Sequence, residues 1–186
     1  MRAELRRARM VIVSRMTPEE ARTLAERLYA GRLDRYGSPL VGHVRRVAAE
    51  VPVEACAVAW LHEALEYAVA TAEELCAAGA TEAEVGAVGL LTRDLGGGEA
   101  AYLAHVARIS CAPGEYGELA RSVKRADLID RATHKATGRG VPSTPPYPHA
   151  LEILGAAWGC ARTTDAGEHQ SLSAMNRTDA GTRETR

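Results

Sequence analysis

The sequence contains no phenylalanine, and aromatic residues together make up only 4% of it. A core without them must be filled by Leu, Val, Ile and Ala. Alanine is the strongest helix former and sheets favour aromatic and β-branched residues, so this scarcity points to close-packed helices. Excess charge is missing too. A formal net charge of −1 argues against a global nucleic-acid-binding surface. No apolar run approaches the length of a membrane span, and the start lacks an apolar signal core. The cysteines, Cys56, Cys76, Cys111 and Cys160, form no C-x-x-C pair, which excludes a zinc knuckle and a thioredoxin-like motif. A chain of 186 residues can bury one real core without a disulfide framework, so reduced thiols and a cytoplasmic location are expected.

What is present is a series of helix signals. Thr17-Pro18-Glu19-Glu20 is a capping box with proline at the first helical position, followed by Ala21, Leu24, Ala25 and Leu28 at helical spacing. Thr71 with Glu74 and Thr81 with Glu84 repeat the device, with Gly79 as a stop between them. Further helices are expected over 43–50, 53–67, 99–110, 115–133 and 147–158, with a Pro-rich connector over 138–148. There is no internal repeat and no alternating strand pattern. The fold class is therefore all-α, a compact helical bundle. A basic N-terminal extension covers 1–15, one domain covers 16–160, and the polar segment 161–186 is expected to be a disordered tail. Met10 and Met16 offer alternative starts within or just after the extension.

Within the expected helix 53–67, His62 and Glu66 are four residues apart, and Glu63 precedes Glu66 by three. Ala57, Val58, Leu61 and Leu65 around them imply burial, where unpaired charge is costly and a metal ion would relieve it. Taken alone, the segment reads rather as a helix whose His and Glu face solvent or pair with arginine. His43 follows a Gly/Pro-rich turn and reads alone as a helix-capping histidine. Asp127 lies in a helix among small and apolar neighbours, and reads alone as a surface carboxylate paired with Lys124 or Arg131. The other histidines, His105, His134, His149 and His169, share no ligand spacing and are read as surface or packing residues.

In this order the segments resemble the His-Asp (HD) superfamily, whose pattern is H…HD…D, and more closely the hydrolase domain of RelA/SpoT-type alarmone hydrolases. The resemblance runs from about Ala21 to Leu154. It rests on Gly31-Arg32-Leu33-Asp34-Arg35-Tyr36-Gly37-Ser38-Pro39-Leu40-Val41-Gly42-His43, on Leu61-His62-Glu63-Ala64-Leu65-Glu66-Tyr67, on Leu91-Thr92-Arg93 with Gly98-Glu99-Ala100-Ala101-Tyr102, and on Val123-Lys124-Arg125-Ala126-Asp127 continuing to Arg131. It implies one divalent ion, Mn²⁺-like, held by His43, His62, Glu63 and Asp127, a mixed imidazole and carboxylate set that suits such a metal. It further implies Glu66 and Lys124 as catalytic groups. Glu66 would hold or deprotonate the attacking water, and Lys124 would meet phosphate. Arg35, Tyr67, Tyr102, Lys124 and Arg131 would contact the substrate.

Four positions depart from the family pattern. Glu63 stands for the signature aspartate, Tyr67 for a second carboxylate, Arg131 for asparagine, and Asp34 for an arginine found in the classical members. Two readings follow. One is a metal-dependent phosphohydrolase of a phosphorylated nucleoside, with the 3′-pyrophosphate alarmones as the family's own substrates. The other is an HD-type module that binds nucleotide or metal without turnover. A weaker third is a phosphatase for another phosphate ester. No nucleic-acid or membrane partner is expected, self-association into a homo-oligomer is left open, and there is no room for a synthetase segment.

Overall fold

A computed structural model describes residues 15–34, 37–93, 97–133 and 147–156. Arg35, His134, His169, Cys160, residues 1–14 of the basic extension, most of the Pro-rich connector and the expected tail 161–186 lie outside them. The described residues form helices throughout, and their one β-type pairing is an isolated bridge between Leu33 and Pro39. The fold is all-α.

All three capping boxes form. Thr17 opens α1 (Pro18–Leu28), Thr71 opens α4 (Ala72–Ala77) and Thr81 opens α5 (Glu82–Leu91). In each, the threonine hydroxyl accepts from the N3 backbone N–H while the N3 glutamate accepts from the threonine N–H. The first-turn N–H groups have no partner within the helix, so these contacts define where it starts. The third glutamate has a second role. Glu84 is 1% exposed and lies 3.6 Å from Arg15 Nε. Arg15 also donates to the Glu54 carbonyl and pairs with Glu115, so the last residue of the expected basic extension is tied onto the bundle.

Two expected elements differ. The helix carrying His43 is α2 (Leu40–Ala49), which begins three residues before His43. Residues 32–34 pair back onto 38–40, with Asp34 N–H donating to the Ser38 carbonyl and Leu40 N–H to the Arg32 carbonyl. Gly37 takes φ +82° at the bend, a conformation with little steric cost only for glycine. The turn therefore delivers Leu40 directly into helix, and His43 falls on the buried face with Leu40, Val44 and Val47.

The expected helix 53–67 is divided. A short 3₁₀ turn (Val53–Ala55) leads into α3 (Cys56–Leu61), and residues 62–68 continue as successive turns. The segment ends with the Val69 N–H bonded to the Ala64 carbonyl, the Ala68 N–H bonded to the Leu65 carbonyl, and Ala68 at φ +49°. This is the Schellman closure, usually completed by glycine. The apolar periodicity across 57–65 had no means of showing that the regular ladder stops at Leu61.

Every residue from Ala57 to Leu61 is buried, as expected for a helix that is apolar all round. This puts α3 at the centre, packed against α1, α2, α5 and α7. Two longer helices, α6 (Gly98–Cys111) and α7 (Gly114–Thr133), pack on one another, and α7 also lies along α2 and α5. Gly117 allows the close turn between α6 and α7, because a Cβ there would lie 2.1 Å from the Ala112 carbonyl oxygen. A last helix, α8, covers 147–156 and contributes Ala150 and Leu154 to the core. The core is Leu, Val, Ala and Ile, with Tyr29 and Trp60 as its buried aromatics. Cys56, Cys76 and Cys111 are free thiols.

Candidate metal centre

The four residues expected to share an ion come together. His43 from α2, His62 and Glu63 from the turns after α3, and Asp127 from α7 are all buried, and each offers one donor atom within 4.8 Å of the others. His43 Nε2 is 3.4 Å from Glu63 Oε1 and 3.2 Å from Asp127 Oδ1. His62 Nε2 is 3.4 Å from Glu63 Oε1. The imidazoles meet edge to face, with ring centroids 5.3 Å apart.

The donor set fits a divalent ion. Metal–N and metal–O bonds are about 2.0–2.2 Å, so opposite donors on one ion are at most about 4.4 Å apart. The observed spread exceeds that by a few tenths of an ångström. Two imidazole nitrogens and two carboxylates are a ligand set suited to Mn²⁺-like metals. Both imidazoles are also held from behind. His43 Nδ1 pairs with Asp130 Oδ2 at 2.8 Å, and His62 Nδ1 donates to the Ala59 carbonyl at 2.7 Å. Each contact directs Nε2 toward the cluster, the arrangement in which a hydrogen bond to the other ring nitrogen fixes a metal-binding histidine. His62 Nε2 itself is buried and makes no hydrogen bond among the described residues, a cost that ligation would remove.

The surroundings keep the carboxylates ionised. Burial opposes the charge on Glu63, but contacts with His43 and His62 and the nearby Arg131 outweigh it and hold this carboxyl well below the usual range. Burial likewise opposes ionisation of Asp127, and the charges of Arg131 and Lys124 overcome it. His43 pays for burial as well, yet its bonds to Asp127, Asp130 and Glu63 raise it to about 10. The two buried carboxylates place a demand for positive charge on this region.

Two cations of the protein answer that demand. Lys124 Nζ donates to Asp127 Oδ2 at 2.9 Å, and the Arg131 guanidinium donates to Asp127 Oδ1 and Glu63 Oε1. Lys124, Asp127 and Arg131 recur at intervals of three and four, so one face of α7 carries all three. Asp127 is thus paired with both Lys124 and Arg131, but in the interior rather than at the surface.

Beside the cluster lies a cleft lined by His62, Glu63, Glu66, Leu91, Arg93, Tyr102, Lys124, Asp127, Arg131 and Tyr147. Glu66, Tyr102, Lys124 and Arg131, which the resemblance singled out, all line this cleft. Arg93 and Lys124 sit over the Tyr102 ring, 5.3 and 5.4 Å from its centroid. Tyr67 is not among the lining residues and packs against the core. Of the other histidines, His105 is buried against Arg108, a packing role, and His149 is exposed.

Sequence reasoning missed three residues of this region. Asp130 supports His43 and is itself gripped by Arg46 through Nε at 2.5 Å and Nη2 at 3.0 Å. Its position three residues after Asp127 was the available signal, since that spacing shares a helix face. Arg93 lay inside a quoted motif, Leu91-Thr92-Arg93, without being assigned a role. Tyr147 carried no local signal. Comparison with known proteins adds no relative, since no family model and no curated protein matches the chain.

Proposed function

We propose that the chain is a metal-dependent phosphohydrolase of the HD type acting on a phosphorylated nucleoside. The observation carrying this reading is the convergence of His43, His62, Glu63 and Asp127, from three distant segments, onto one buried point beside a cation-lined cleft. A divalent ion held there supplies Lewis acidity toward a phosphoryl oxygen and a lower pKa for water. The protein's own groups supply the rest. Lys124 and Arg93 present positive charge to phosphoryl oxygens, and Tyr102 positions both side chains through its ring face. Glu66 lines the cleft next to Glu63 and takes a proton from the attacking water, a role that typically contributes about 10²–10⁴-fold. The Mn²⁺ assignment and the 3′-pyrophosphate alarmones as substrates rest on the sequence resemblance alone.

Metal content of the purified protein, followed by phosphate or pyrophosphate release from a panel of phosphorylated nucleosides with added Mn²⁺, tests this reading. Protein that holds about one ion per chain and hydrolyses a member of the panel supports it. Protein that binds the ion and hydrolyses none supports a second reading, an HD-type binding module without turnover. One observation favours a module without turnover: the Arg131 guanidinium pairs with Asp127 and Glu63, two of the four donors that a catalytic ion would need.

A further inference from the structure

The Arg131 guanidinium does more than neutralise nearby carboxylates. Its Nε donates to Asp127 Oδ1, and its Nη2 donates to Glu63 Oε1 and lies 3.3 Å from His43 Nε2. These are the same atoms through which His43, Glu63 and Asp127 approach one another. The side chain is 11% exposed, so its charge is little screened by water. Lys124 differs, because it takes the other oxygen of Asp127, Oδ2, and leaves the shared face alone.

A divalent ion bound by these atoms would lie within a few ångströms of the guanidinium carbon. Both cations would then compete for the same lone pairs and repel each other strongly in a weakly screened interior. We propose that Arg131 is an internal competitor of the metal ion, so that ion binding to His43, Glu63 and Asp127 requires its guanidinium to leave these atoms. The inference rests on the metal reading above and adds a regulator to that same site. The released side chain has somewhere to go, because Arg131 already borders the cleft that holds Lys124 and Arg93. Competition of this kind lowers metal affinity at rest and makes ion loading depend on a movement of one side chain.

The test compares Mn²⁺ binding by calorimetry to the full-length protein and to its Arg131→Gln and Arg131→Lys variants. Removing a full charge this close to a dication should tighten binding about tenfold or more in Arg131→Gln. Arg131→Lys keeps the charge and should stay nearer the unmodified protein. Tighter binding to the folded state stabilises it more, so Mn²⁺ should also raise the melting temperature of Arg131→Gln more than that of the parent. Equal or weaker Mn²⁺ binding by Arg131→Gln overturns the inference.

A measurement on the unmodified protein stands if the variants do not fold. The Arg131 Nε–H resonance should shift and lose its protection from solvent exchange on titration with diamagnetic Zn²⁺, and a resonance unmoved at saturation overturns competition. Mn²⁺ binding that is alike in all three proteins removes only this inference. Absence of binding in all three removes the metal reading with it.

Discussion

His43 Nδ1 and Asp130 Oδ2 lie 2.8 Å apart although 87 residues separate them, and this contact aims the opposite ring nitrogen of His43 at Glu63 and Asp127. Asp130 is held in turn by Arg46, on α2 with His43, so the two helices are joined through one carboxylate. Partners of this kind commonly govern metal affinity by about 10–100-fold. Asp130→Asn should therefore weaken Mn²⁺ binding within that range while leaving the four donors present. Calorimetric titration of the variant checks it, and unchanged affinity would show that His43 is oriented without help from Asp130.

Glu66 borders the cleft but stands outside the donor group. In an active enzyme, Glu66→Gln should retain the metal and lose turnover by about 10²-fold or more, as removal of a general base does. Asp127→Ala should lose both. Metal content and single-turnover phosphate release, measured on each variant, separate the two roles. A fully active Glu66→Gln enzyme would discard Glu66 as the base and keep the rest of the site.

Ala68 closes the turns after Glu63 in a left-handed conformation that costs an L-residue roughly 1–2 kcal/mol. Its side chain is exposed, so glycine sacrifices no packing there. Allowing for the extra freedom glycine gives the unfolded chain, Ala68→Gly should stabilise the protein by about 0.5–1 kcal/mol. The urea midpoint reports it. A lower midpoint would mean that the methyl group makes a contact on which the turn depends.

His105 carries an acid-sensitive part of the stability. Burial, with Lys124 on α7, Arg108 on its own helix and Arg93 after α5, lowers it to about 4, while the Leu91 backbone pulls the other way. Above its ordinary value near 6.5 the imidazole is neutral in both folded and unfolded chains, and it accepts from Arg108 in the fold. Below that value the unfolded chain binds a proton that the folded chain does not. Stability is then lost as pH falls from about 6.5 toward 4, and this contribution levels off below. Urea midpoints across that window should fall more steeply for the parent protein than for His105→Gln. Parallel curves would place the acid sensitivity elsewhere.

The features legible in the sequence are those set by neighbours a few residues apart. Thr17, Thr71 and Thr81 each meet a glutamate three residues on, so three helix starts were readable and all three form. The scarcity of aromatics and the Leu, Val and Ala periodicity determined an all-α core. The identities and order of His43, His62, Glu63 and Asp127 were readable as well, through their resemblance to a known pattern.

Their meeting at one point was decided only by tertiary structure, because it depends on how α7 lies along α2 and beside α3. The end of α3 at Leu61 depended on the Schellman closure at Ala68, which no glycine announced. The grip of Asp130 on His43 spans 87 residues, and Arg131 reaches Glu63 and His43 across 68 and 88. Local hydrogen bonds and periodicity act over a helical turn and leave their mark in adjacent residues. A charged side chain chooses among distant partners only after packing has brought them within reach, and that choice leaves no trace in the residues beside it.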